Sequence, residues 1–250
     1  MKGILRVLRG IILIGTTTIL AAFVIIPVTN ADQECQVVRY YLEHDGKKAQ
    51  KVQWCLAQHE GFRLTYKKAT ETHLTRTNEN LETLTWSMDD PAEEISIKAL
   101  RKKSTLFLHG RFKGETIDKH IQIDNAPWFQ ATSLSLKKFV TSNQKKIEFW
   151  TFRVSNLKAY KLSAIKVGRV RLTIAGKPIE TIKIEMRLTG WRSYFWKSDY
   201  WFKADDGLFL RFEGQSGPSG ENRITVELLT KAVRLLRYNA DKGSTFLFLL

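Results

Sequence analysis

RVRLTIAGKPIETIKIEMRL, residues 169–188, reads as two strands joined by a tight turn. Val170, Leu172 and Ile174 alternate with Arg169, Arg171 and Thr173. Beyond the turn at Gly176-Lys177-Pro178, Ile182, Ile184, Met186 and Leu188 alternate with Lys183, Glu185 and Arg187. Successive side chains of a strand point to opposite faces, so each strand has an apolar face and a wet one. That is the pattern of an antiparallel sheet packed on one side; a buried parallel sheet would show unbroken apolar runs.

The same period recurs along the chain. Phe62, Leu64 and Tyr66 share a face, as do Leu84, Trp86 and Met88, then Leu106, Leu108 and Phe112, then Ile117, Ile121 and Ile123, and finally Ile224, Val226 and Leu228. Turn signals separate the runs: Pro91 after Asp89-Asp90, Asp206-Gly207, and the glycine-rich stretch Gly214 to Gly220. One segment departs from the period. After Pro127-Trp128-Phe129, the spacing of Leu136, Phe139 and Val140 predicts a helix from about Ala131 to Thr141. A sheet with one apolar face needs a cover. The expected fold is therefore mainly β, an antiparallel meander curved into a half-barrel around one central helix. A closed β-barrel, which needs no cover, is the alternative. No linker interrupts residues 32–235, which read as a single domain followed by a C-terminal tail, 236–250.

Residues 1–31 read as a signal peptide. Lys2, Arg6 and Arg9 form a basic head, Gly10 to Ile26 is uncharged and mostly apolar, and Thr29-Asn30-Ala31 supplies small residues at an expected cleavage point. An uncleaved anchor is the alternative. Either way the remainder is expected in the periplasm or otherwise exported. The whole chain carries 40 Lys and Arg against 25 Asp and Glu, and without the leader 37 bases remain, a net +12. Outside the cytoplasm that charge points away from nucleic acid and toward an anionic lipid or other anionic envelope component, with peripheral membrane contact.

The two cysteines fit a hairpin. Val38, Tyr40 and Leu42 alternate on one side of Asp45-Gly46, and Val52, Trp54 and Leu56 on the other. A three-residue loop, His44 to Gly46, pairs Glu43 with Lys47 and sets Cys35 opposite Cys55, within disulfide reach. An oxidising compartment favours the bridge, and closing this loop contributes about 3 kcal/mol in the chain-entropy model.

Seven aromatics fall in the twelve positions from Trp191 to Phe202. Alternation cannot bury all of them on one face, so some line a second surface, an opening or a cavity. With Arg192 and Lys197 interleaved, they suit an amphiphile with an anionic head group. The candidate ligand-binding residues are Trp128, Trp150, Trp191, Trp196 and Trp201, with Arg192 and Lys197 at the rim.

Pro127-Trp128-Phe129-Gln130, Glu148-Phe149-Trp150, the run from Tyr200-Trp201-Phe202 through Asp206-Gly207-Leu208 to Arg211-Phe212-Glu213-Gly214, and a closing strand ending in Glu227-Leu228 together resemble a group of exported bacterial proteins of unknown function. Their half-barrel is related to the Lol-type lipoprotein carriers. The resemblance lies mainly between residues 120 and 230. It implies a fold and an envelope setting, and it carries no catalytic residues. The cysteine hairpin is not part of it.

No reaction motif stands out. The sequence has no Gly-x-Ser-x-Gly, no phosphate-cradling loop, and no His-x-x-x-His that would put two metal ligands on one face. No catalytic residue, metal or cofactor is expected. A hydrolase would need His109 and His120, with His73, to converge on a carboxylate such as Asp118 or Glu115. The adjacent acids Asp89-Asp90, Glu93-Glu94 and Asp205-Asp206 fall in turns and read as solvated. A structural or partner-binding envelope protein with a filled interior is the other reading.

Overall fold

The computed structural model describes residues 33–44, 47–58, 60–215 and 223–238. The expected leader, the Asp45-Gly46 turn, His59, the glycine-rich loop at 216–222, residues 239–250 and the side chain of Arg192 lie outside the described residues.

Among the described residues, fourteen strands form one antiparallel sheet that does not close. The first eight make a meander: β1 (Gln33–His44), β2 (Lys47–Gln58), β3 (Phe62–Lys68), β4 (Glu71–Thr77), β5 (Thr83–Asp90), β6 (Ile95–Lys102), β7 (Thr105–Phe112) and β8 (Glu115–Gln122). Two short helices follow, α1 (Thr132–Ser135) and α2 (Lys137–Thr141). A second meander comprises β9 (Lys146–Arg153), β10 (Lys158–Ile174), β11 (Lys177–Leu188), β12 (Lys197–Lys203), β13 (Phe209–Gln215) and β14 (Arg223–Tyr238). β14 pairs with β1, so the two meanders join through their terminal strands, and β8 and β9 are left as the edges. This is the expected mainly β, curved half-barrel meander; the closed barrel is not formed.

The expected helix is present but broken at Leu136, which caps α1 and starts α2. Its apolar stripe is buried at Leu134, Leu136, Phe139 and Val140. Leu136, Phe139 and Val140 join the inner faces of β9–β14 in one core, where Phe149, Ala164, Ile184 and Phe202 are fully buried. The β5–β8 half packs separately, around Ile97, Leu106, Leu108 and Trp128. The turn between β12 and β13 presses on α2: Gly207 has φ +65°, and an added Cβ would lie 2.9 Å from Lys137 Cγ. Only glycine suits both demands.

Residues 127–130 span the open side. Trp150 N–H donates to Pro127 O and Phe129 N–H to Trp150 O, each at 2.8 Å, forming an isolated parallel bridge to β9. Thr83 N–H donates to Trp128 O, also at 2.8 Å. Gln130 fastens the segment. Its Oε1 accepts from Trp128 Nε1, Thr151 Oγ1 and Phe152 N, and its Nε2 donates to Phe152 O.

The disulfide Cys35–Cys55 is formed, with Cα atoms 5.4 Å apart. Its expected register is corrected. Val37, not Cys35, lies opposite Cys55, and His44 pairs with Lys47 after a shift between Leu42 and His44. The extra residue at that shift offsets the hairpin, and the bridge runs diagonally. Two further irregularities break the alternation. Leu84, expected inside beside Trp86, is exposed because it is the unpaired residue where Thr77 pairs Thr83 and Arg76 pairs Thr85. Val167 is exposed at the shift between Lys166 and Gly168. A bulge adds one residue to one strand and so inverts the inside–outside count locally.

Candidate functional site

The inner face of β10–β14 is not filled along its whole length. Beside α1 it leaves a cavity of about 310 Å³. Its apolar wall is Leu162, Met186, Trp196, Tyr200, Phe212 and Ile224, and Gln130, Thr132 and Thr151 contribute polar groups. Met186 and Ile224 are apolar positions of strands whose alternation was legible in the sequence. The Tyr200 and Thr132 hydroxyls are 3.2 Å apart, which ties β12 to α1. Burial pushes the Tyr200 phenol up to about 12, with the Thr132 hydrogen bond working against it, so the cavity carries a neutral hydroxyl there.

A second, larger cavity of about 610 Å³ opens at the ends of β11–β14, beside the 3-10 turn Gly190–Tyr194. Tyr194, Phe195 and Trp196 line it, together with Arg187, Lys197 and Arg223. The charges here are arranged in opposite pairs. Arg187 is paired with Glu185, Lys183 with Asp199 at 2.9 Å, and Arg223 with Glu213 at 3.3 Å. The Glu185 hydrogen bond holds the Arg187 guanidinium above its ordinary value, so it stays cationic.

Trp196 and Gln215 line both cavities. The Trp196 ring is buried, and its Nε1 has no hydrogen-bond partner. An unpartnered buried donor costs free energy that a bound acceptor or water can recover. Nearby, Ser198 faces Gly214 across β12 and β13, and an added Cβ at 214 would lie 2.5 Å from Ser198 Cβ. Glycine there lets the two strands approach closely where both cavities meet.

The structure brings Trp196 and Lys197 to these cavities and distributes the other sequence candidates elsewhere. Trp191 is exposed at the turn, its ring 5.6 Å from that of Phe195. Trp128 is fully buried in the second core. Trp150 lies at the open edge, where its Nε1 donates to Asp124 Oδ1 at 2.7 Å. Trp201 lies on the outer face of β12, under Lys183 Nζ at 5.2 Å and the Arg211 guanidinium at 5.9 Å. Of the wall residues outside the candidate set, Met186 and Ile224 were legible as apolar strand positions, Tyr200 and Phe212 only within aromatic-bearing runs, and Leu162 not at all.

The histidines do not converge. His109 and His120 are exposed on β7 and β8, whereas His73 is half-buried on β4, between the rings of Tyr66 and Trp86, with its Nε2 2.5 Å from Glu71 Oε1. β4 and β7 are three strand spacings apart, about 14 Å. Among the described residues, no group of three or more His, Cys, Asp or Glu could hold a metal ion.

No protein-family model and no curated protein matches the chain. Among solved structures it is similar to a β-barrel-like protein of the domain of unknown function DUF1849 from Brucella abortus. That match has a TM-score of 0.53 and 10% identity, over 78% of this chain and 96% of that one. The likeness is one of fold. The hypothetical lipoprotein YmcC from Escherichia coli K12 matches with a TM-score of 0.41 and 12% identity, over 78% of this chain and 87% of that one.

Proposed function

We propose that this is an exported envelope protein that holds the apolar part of one amphiphile in its half-barrel. The observation that carries the reading is the unfilled apolar cavity walled by Leu162, Met186, Trp196, Tyr200, Phe212 and Ile224. Export is supported by the basic-apolar-small order of residues 1–31 and by the Cys35–Cys55 bridge, because disulfides persist in oxidising compartments. The volume is near the lower end for small-molecule sites. At about 30 Å³ per water-sized group it takes roughly ten such groups, hence one short chain or the end of a longer one.

Burying eight methylenes contributes about 6 kcal/mol before the cost of immobilisation, so the chain alone gives a Kd of some tens of micromolar at best. Trp196 separates the chain from the outer cavity, whose other cations Arg187 and Arg223 are paired with carboxylates, and an anionic head group would rest there near Lys197. The test is uptake of a fluorescent single-chain fatty acid. Trp196→Ala should weaken retention, and Ile224→Trp, which fills the cavity, should abolish it, both with an unchanged circular dichroism spectrum. Uptake that is indifferent to both substitutions refutes the reading.

A further inference from the structure

The large apolar residues exposed on the described surface fall into two sets. Tyr41, Leu84, Val167 and Val170 are scattered along strands, and scattered singles of this kind are ordinary. Trp191, Tyr194 and Phe195, at 72%, 88% and 66% exposure, crowd into five consecutive positions at one turn. The turn is rooted at both ends, because Leu188 and Trp196 are buried in the core. The Trp191 and Phe195 rings brace each other edge to face, with an interplanar angle of 89°. The result is a preformed aromatic knob on a fixed base.

The charge around the knob selects its partner. From Met186 to Ser198 the sequence has three cations, Arg187, Arg192 and Lys197; Glu185 and Asp199 stand just outside that stretch and Glu185 pairs with Arg187, so the cation offered beside the knob is Lys197, on a chain of net charge +15. Tryptophan and tyrosine beside cations match the interfacial layer of an anionic bilayer, where amphipathic rings sit at head-group depth and basic side chains meet lipid phosphates. We propose that the turn at residues 190–195 docks the protein on an anionic lipid bilayer, with Trp191, Tyr194 and Phe195 in the interfacial layer and Lys197 at the head groups. This does not rest on the cavity reading.

The test is sedimentation of the full oxidised protein with vesicles of phosphatidylcholine alone or mixed equally with phosphatidylglycerol. Binding is expected to the mixed vesicles and to weaken with added salt. The triple variant W191S/Y194S/F195S should lose roughly tenfold or more of that binding. Lys197→Gln should lose about fivefold, from about 1 kcal/mol per basic residue. The three aromatics are exposed, so the triple variant should keep its circular dichroism; Ile224→Trp, which fills the inner cavity, whose walls include none of the three, should bind the mixed vesicles as the unaltered chain does, which separates loss of docking from loss of the cavity. Failure of the full chain to bind mixed vesicles overturns the proposal, as does equal binding by the triple variant. A triple variant that turns a dimer into a monomer while binding vesicles as before also overturns it, by assigning the knob to self-association.

Discussion

Replacing Gln130 by leucine removes the four side-chain hydrogen bonds that reinforce the backbone bridge between the 127–130 segment and β9. Three of them converge on Oε1, from Trp128 Nε1 at 3.1 Å, Phe152 N at 3.1 Å and Thr151 Oγ1 at 3.2 Å; the fourth runs from Nε2 to Phe152 O at 2.9 Å. The four are not equal in consequence. Thr151 lines the cavity, where water can replace the lost partner. Trp128 is fully buried, so its indole N–H becomes an orphan donor, at a cost of about 1–3 kcal/mol. The two bonds to Phe152 add about 1 kcal/mol each, and the apolar leucine side chain offsets part of the total. The net expectation is a loss of about 3 kcal/mol. With a urea slope of about 2–3 kcal/mol/M, the midpoint should fall by about 1 M, read by tryptophan fluorescence. Thr151→Val, which removes one bond of the four, should shift it by about 0.3 M. A Gln130→Leu shift no larger than that of Thr151→Val would show that Gln130 does not fasten the open side of the sheet.

Two further expectations follow from local geometry. Reducing the Cys35–Cys55 bridge, which closes a separation of 20 residues, should lower stability by about 3 kcal/mol; a urea midpoint unmoved by reductant would contradict this. Asp124 accepts from Lys161 Nζ, from Trp150 Nε1 and from Ala126 N, and these bonds hold its carboxyl at about 2, below its ordinary 3.8. A depressed folded pKa contributes stability that is present above about pH 4 and is lost as the pH falls toward 2. Asp124→Asn should therefore reduce the difference between urea midpoints measured at pH 5 and pH 2.5, and an unchanged difference would refute the assignment.

How far the sequence carried the fold depended on what each signal encodes. Period-two alternation was reliable where strands pair without interruption: Ile184, Met186 and Leu188 on β11 are all buried, as expected. It failed at Leu84, because an extra residue in a strand leaves no mark in composition and reverses the face count after it. The cysteine hairpin shows the same limit. The bridge was legible from the flanking strand pattern, but its register was not, because one shift between Leu42 and His44 moved the partner of Cys55 from Cys35 to Val37. The helix was legible from Leu136, Phe139 and Val140, although not its break.

The site was less legible than the fold. The aromatic excess from Trp191 to Phe202 correctly demanded a second surface, and the structure supplies three destinations. Tyr200 and Phe202 enter the core, Trp201 lies outside beneath Lys183 and Arg211, and Trp191, Tyr194 and Phe195 protrude at the turn. Sequence spacing assigns a side chain to a face but not to the part of that face a helix leaves uncovered. The cavity lies where α1 and α2 stop covering the inner sheet, and that depends on the path of residues 124–145 across the open edge.

The central claim is that the half-barrel holds an amphiphile, and native mass spectrometry of the exported protein, paired with solvent extraction, tests it most directly. The account predicts a protein mass accompanied by one bound species that extracts into organic solvent and is absent from Ile224→Trp. A bare chain two hydrogen atoms lighter than its reduced form, with nothing extractable, would confirm the disulfide and contradict the ligand.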